Sequence, residues 1–325
     1  MINHVRYVFC YSSSTIGGTQ LLFARIAEAL IKDGIRVLIV EQNRSFINNY
    51  LNERKLEFEA VRVSESNHFT TTAGDLLVLS LSDIFLFRQF IDAEPEARLV
   101  FWDLHPFALI ETSAFSKIYK AFPDSWLSSL ARLVEKRFRN KINIFITEAS
   151  NKKSLYFMCL RNFITNKEFF GLNFTPTYLP IPIHVNENKN LNAKGLINSS
   201  KTLKPHTLNI AWISRMDAGK LKVLGLLLED VMKFNAMHDD VKILIHAIGI
   251  ESTFKRVRNT KGRFGDVLRL PGILWGVDLD SYVAKNIDIG FSSGTAALEF
   301  ASRRIPTVLV PSYTWYKLFK KEGRI

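Results

Sequence analysis

Arg215 and Lys220 stand five residues apart in Ser214-Arg215-Met216-Asp217-Ala218-Gly219-Lys220, directly after an apolar run. Further along, Ser292-Ser293-Gly294-Thr295 breaks a second apolar run, and Glu299 follows. Free N–H groups at a helix N-terminus attract an anion, and small residues let a phosphate approach the backbone. A carboxylate one turn into that helix can accept hydrogen bonds from vicinal hydroxyls such as those of a ribose. Cations fixed beside the corner clamp a diphosphate, and they stabilise the charge that grows on it as its bond to a sugar breaks. These residue types in this pattern describe a nucleoside diphosphate site. An ordinary strand-helix turn with a surface glutamate, and a pair of surface cations, remain the alternatives, because short motifs also match by chance.

The first half offers a different set. Gly17 and Gly18 close a loop of small residues, 12–19, between a strand and a helix. The loop lacks the Gly-x-Gly-x-x-Gly of a dinucleotide fingerprint and the Gly-Lys-Ser/Thr of a P-loop. Two glycines at a helix start still let a ligand come close; a packing turn is the alternative. His105 follows the run 97–102, in Asp103-Leu104-His105-Pro106. Ligands of open α/β sheets bind at that carboxyl edge. A histidine there could hold an acceptor hydroxyl or a reacting sugar; a loop histidine bonded to the backbone is the other reading.

These residues need a scaffold of alternating strands and helices. Short apolar runs predict strands at 5–11, 35–40, 58–63, 75–80, 97–102 and 142–146, with extended chain at 177–183. Helical spacing and punctuation predict helices around 22–30, 43–55, 85–91 and 152–163, with Gly34 as a stop for the first. After an Asn-, Lys- and Ser-rich stretch the alternation restarts. Strands are expected at 208–213, 241–248, 267–270, 287–291 and 307–310, and helices at 221–234, 253–258, 280–285 and from about 296, the last capped by Ser293 or Thr295 and stopped by Pro306. The fold class is α/β, with parallel sheets in two Rossmann-like domains: 1–184, a linker at 185–206, and 207–325.

Composition bounds the partners. The chain has 325 residues, 47% hydrophobic and 23% charged, which is enough for two cores. Its formal net charge of +12 calls for an anionic partner. Nucleic acid fits the charge, but no nucleic-acid-binding motif is present. Two cysteines, Cys10 and Cys159, give no disulfide framework and suggest a reducing compartment. The most apolar window, 76–91, contains Asp83 and Arg88 and falls short of a spanning helix. In 115–141, Phe115, Tyr119, Phe122, Trp126, Leu130, Leu133 and Phe138 interleave with Lys117, Lys120, Arg132, Lys136, Arg137 and Lys141. An amphipathic basic helix of this kind suits an anionic membrane surface; a core-facing helix with a solvated basic back is the alternative. A cytoplasmic protein, peripheral on the inner face of the plasma membrane, is the expectation.

Together, the two βα halves, the Gly17-Gly18 turn, the Arg215–Lys220 spacing and the run Ser293-Gly294-Thr295-Ala296-Ala297-Leu298-Glu299 resemble the glycosyltransferases of GT-B fold. The likeness is to the group 1 family that builds bacterial capsular and lipopolysaccharide chains. The resemblance spans nearly the whole chain. It implies two Rossmann-like domains with a cleft between them, and a nucleotide-diphosphate sugar in the C-terminal one. Arg215 and Lys220 would hold the diphosphate, Gly294 and Thr295 would offer N–H groups, and Glu299 would bind the ribose. His105, with Gly17 and Gly18, would face a lipid-linked or saccharide acceptor. Catalysis would fall to His105, Arg215 and Lys220, with no metal and no cofactor beyond the donor itself. Group 1 members usually carry a second glutamate eight residues before the one matched to Glu299; here that position is Phe291. The shorter turn looks more like the Gly-Thr-x-x-Leu-Glu corner of sugar-nucleotide 2-epimerases, so an epimerase-like enzyme is one alternative. The chain ends at Ile325, where the resemblance implies a further unit. The C-terminal part therefore reads as incomplete, and an inactive GT-B remnant is the other alternative.

Overall fold

The computed structural model describes residues 5–11, 17–43, 45–116, 118, 125–182, 206–214, 218–249, 262–274, 276–292 and 294–310. The chain divides at Pro182 into two compact units.

Unit 1 opens with β1 (Arg6–Cys10), α1 (Gly18–Lys32), β2 (Val37–Glu41), α2 (Phe46–Glu53) and β3 (Glu59–Arg62). There follow β4 (Phe69–Thr70), β5 (Asp75–Ser80), α3 (Ile84–Phe87), β6 (Ile91–Asp92) and β7 (Arg98–Asp103). It closes with α4 (Trp126–Val134), α5 (Lys136–Asn151), β8 (Leu155–Phe157) and α6 (Leu160–Phe170). Six strands form one sheet in the order β3-β2-β1-β5-β7-β8, and every pairing is parallel. A parallel sheet carries helices on both faces, so its central strands read as unbroken apolar runs. All five residues of β2, Val-Leu-Ile-Val-Glu, are buried. The two faces pack separate cores: one on Phe9, Phe23, Ile39 and Trp102, the other on Val8, Leu38, Leu77 and Phe101. β4 and β6 pair apart from the sheet.

Unit 2 holds β9 (His206–Ile213), α7 (Ala218–Met237), β10 (Val241–Ile248), β11 (Leu268–Gly272), α8 (Gly276–Asn286), β12 (Ile289–Ser292), α9 (Thr295–Ser302) and β13 (Thr307–Leu309). Its sheet is also parallel throughout, in the order β11-β10-β9-β12-β13. The expected linker, 185–206, lies outside the described residues except for His206, the first residue of β9.

Some sequence expectations fail. Residues 142–146 form no strand; they belong to α5. Ile142 and Ile146 are 2% and 0% exposed while Ile144 is 59% exposed, which is helical spacing and not the alternation of a strand. The helix expected over 152–163 is instead the end of that turn, β8, and the start of α6. The helix expected over 85–91 shrinks to the single turn α3. The stretch 115–141 is no continuous helix: Glu135 ends α4 and starts α5, and Ser113 Oγ donates to its carboxylate at 2.7 and 2.8 Å. The helix expected at 253–258 falls outside the described residues.

Candidate functional site

In unit 2, chain order reverses at β9. The path β9–α7–β10 runs to one side, and β12 pairs on the other. A reversal of this kind opens a crevice at the carboxyl ends of the two strands, and that is where open α/β sheets take ligands. The two predicted clusters flank it. Lys220 lies in the first turn of α7, which follows β9, and Gly294 and Thr295 begin α9, which follows β12. Ser292 Oγ donates to Ile213 O at 3.2 Å and ties the two strand ends together. Arg215 lies outside the described residues, as does Ser293.

At the corner before α9 the N-cap is Gly294, so Thr295 is the first helical residue and not the cap; Ser293, the other expected cap, lies outside the described residues. The φ of 61° and ψ of −140° at Gly294 belong to a region that only glycine enters without strain. No atom of the described residues stands within 4 Å of where its Cβ would be. Glu299 sits on α9 with its side chain 14% exposed, and Arg303 Nη1 donates to its Oε2 at 2.8 Å. Arg303 also pairs with Asp280 of α8 at 2.6 Å. A ribose at Glu299 therefore has to share the carboxylate with Arg303.

Unit 1 has the same kind of reversal, between β1 and β5. Gly17 is the N-cap of α1 in extended backbone, and Gly18 is its first residue. His105 is exposed two residues beyond β7, the neighbour of β5. Its Nδ1 accepts from Phe107 N–H at 3.2 Å, the local backbone bond of the plainer reading, which puts the imidazole proton on Nε2. Gly17, Gly18 and His105 thus share the carboxyl edge of one sheet.

Two acids at this edge escaped the sequence reading. Asp83, after β5, has a buried Oδ2 with no partner among the described residues, and burial pushes its carboxyl up to about 6. Its charge, after burial, also raises the thiol of Cys10. Asp103 ends β7 fully buried, and burial pushes its carboxyl up to about 8. Asn166 of α6 donates to Asp103 Oδ2 at 2.9 Å, and Asn162 donates to Asp103 O at 2.8 Å. Asp103 Oδ1 and Asn166 Oδ1 are both buried without a partner among the described residues. A proton on the acid supplies the donor that this pair of acceptors lacks. The available signal was an acid ending an apolar run, Leu99-Val100-Phe101-Trp102-Asp103.

The described residues hold no cluster of His, Cys, Asp or Glu fit for a metal, and no helix among them is long and apolar enough to cross a membrane. No family model and no curated protein sequence matches the chain. Solved structures do. Anabaena HepE in complex with UDP and glucose aligns with a TM-score of 0.56 at 12% identity, over 97% of this chain and 83% of that one. A glycosyltransferase from Rickettsia africae aligns with a TM-score of 0.53 at 11% identity, over 94% and 79%. At such identities the likeness is one of fold. The chain has the GT-B fold: two Rossmann-like units, each with its parallel sheet.

Proposed function

We propose that the protein is a glycosyltransferase. It moves a sugar from a nucleotide-diphosphate donor, held at the β9/β12 edge of unit 2, to a lipid-linked or saccharide acceptor at the β1/β5 edge of unit 1, in the synthesis of a cell-surface polysaccharide such as capsule or lipopolysaccharide. The observation that carries the reading is the reversal at β9, with Lys220 in the first turn of the helix that follows β9 and Gly294–Thr295 at the start of the helix that follows its neighbour β12. The fold shared with HepE, whose crystal structure contains UDP and glucose, supports it.

In this reading Arg215 and Lys220 neutralise the diphosphate as the sugar leaves, and N–H groups at the start of α9 add to that field. Glu299 takes the ribose hydroxyls. His105 orients the acceptor hydroxyl through its Nε2 side. The donor is a substrate; the reading requires no metal or further cofactor.

Calorimetry of the full chain with a panel of nucleoside diphosphates tests it. One diphosphate is expected to bind. Lys220→Ala removes a charge-assisted hydrogen bond and should weaken it about tenfold or more. Glu299→Ala should lose affinity for the nucleoside diphosphate but not for inorganic pyrophosphate. Binding by no diphosphate, or binding indifferent to both substitutions, removes the reading.

The same proposal includes contact with an anionic bilayer. Along α4, Trp126, Leu130, Leu133 and Val134 are 73%, 50%, 69% and 63% exposed, a single apolar stripe at helical spacing. Arg132 and then Lys136, Arg137 and Lys141 of α5 are exposed around it. Each basic residue near an anionic surface adds about 1 kcal/mol. The protein should float with phosphatidylglycerol vesicles at low salt, and Trp126→Glu with Leu133→Glu should abolish flotation. Equal flotation with neutral phosphatidylcholine would remove the electrostatic part, and none at low salt would remove the contact.

A further inference from the structure

The connection from β5 to β7 in a parallel sheet ordinarily carries a helix that covers both strands. Here α3 is one turn long. A hollow of about 600 Å³ lies over this part of the sheet; the residues at its base, Leu77, Leu79, Phe87 and Phe101, are 1%, 4%, 0% and 8% exposed. Its floor is Leu77 and Leu79 of β5 with Leu99 and Phe101 of β7, alternate residues that point to one face. Phe87 walls one side and Phe145 of α5 the other. The cavity lies on the flank of the sheet, in the core that α5 shares with β5 and β7, and none of the predicted site residues lines it.

The mouth is not neutral. Arg88 and Lys141 line it and are both exposed, and neither is paired with a carboxylate among the described residues. One acid, Glu148, lines it as well. Phe85 and Ile144 at the same opening remain 39% and 59% exposed. Helix α5 joins this mouth to the basic stretch: Arg137, Lys141, Ile144, Phe145 and Glu148 fall on one face, at steps of three and four.

We propose that this cavity binds the hydrocarbon chain of a single-chain lipid phosphate, with the phosphate at the rim of Arg88 and Lys141. The apolar floor and walls suit a chain, and the volume is that of a site for one ligand. Two cations against one acid select an anionic head. That such a lipid is the acceptor rests on the transferase reading; the binding itself does not.

Equilibrium dialysis of the full chain with farnesyl phosphate tests the proposal, with far-ultraviolet circular dichroism to confirm folding of each variant. Saturable binding is expected. Arg88→Glu with Lys141→Glu should weaken it about tenfold or more by reversing the rim charge, and farnesol, lacking the phosphate, should bind weaker by a similar factor. Ile144→Glu, at an exposed position, should weaken both ligands by placing a carboxylate in the path of the chain. Inorganic phosphate should not compete. No saturable binding, binding unchanged in all the variants, or farnesol as tight as its phosphate would each overturn the proposal. Tighter binding of dipalmitoyl phosphatidate vesicles than of farnesyl phosphate would assign the cavity to bilayer lipid and overturn the single-chain assignment. Nucleoside diphosphate binding, measured on the same samples, fails or holds independently.

Discussion

Replacing Asp103 by Asn should make the protein more stable at pH 8 and flatten its loss of stability with rising pH. The wild-type carboxyl is held up to about 8 by burial, against an ordinary value of 3.8. A carboxyl whose folded value is raised favours the fold in its protonated form. That contribution is complete below about 4 and is lost as the pH rises through about 8. Within this window each pH unit costs about 1.4 kcal/mol. Asn keeps the shape, never ionises, and its amide carries a donor, as the protonated acid does. Urea unfolding at pH 5, 6.5 and 8 measures the effect. The wild type should lose several kcal/mol over that range and the variant much less, on the scale of the linkage slope. Asp83, raised to about 6, contributes only to the lower half of the window. Parallel profiles for the two proteins would mean that Asp103 ionises normally. The stake extends past stability, because Asp103 anchors α6 to the strand end from which His105 departs. An ionised acid there would strain the edge on which the acceptor is proposed to sit.

The parts of the fold legible in the sequence are those where one period dominates. β5 and β10 have the bounds expected of them, 75–80 and 241–248, because buried parallel strands are continuous apolar runs between turn residues. The stretch 142–146 misled because Ile142, Ile144 and Ile146 alternate as a strand would. The deciding partners, Phe138 and Ala149, lie outside that window and complete the helical stripe that packs on the core. The long interruption at α3 was equally hidden: residues 85–91 are apolar enough for a helix, and nothing local says that β6 will take the end of the run. In the site, the Gly294 turn was readable from small residues alone, and so was the helix after it. That the helices carrying Lys220 and Thr295 follow neighbouring strands was not, since it depends on strand order. Nor was the partner of Glu299. Arg303 is one helical turn away and visible, but Asp280, which holds the guanidinium from the other side, is 23 residues distant in sequence.

The geometry of the α9 corner depends on a close approach that the sequence contains only as a glycine. Gly290, in the middle of β12, lies under the ring of Phe300, which is 0% exposed. A Cβ at Gly290 would come within 2.4 Å of Phe300 Cδ2 and within 3 Å of two further ring atoms. No rotation of one bond relieves three such contacts in a closed core, so α9 or the ring has to move. Gly290→Ala should therefore destabilise unit 2 by about 3 kcal/mol, at the upper end of the cost of overpacking. Phe300→Leu alone should cost about as much by leaving a void. Combined, the two should cost clearly less than their sum, since the smaller side chain vacates the space the methyl needs; the coupling is what a double-mutant cycle in urea reads. The same displacement of α9 should weaken nucleoside diphosphate binding in Gly290→Ala and restore it in the double variant. Additive costs would show that the strand and helix adjust independently. The Gly294 corner would then owe its position to the Ser292–Ile213 tie and not to Phe300.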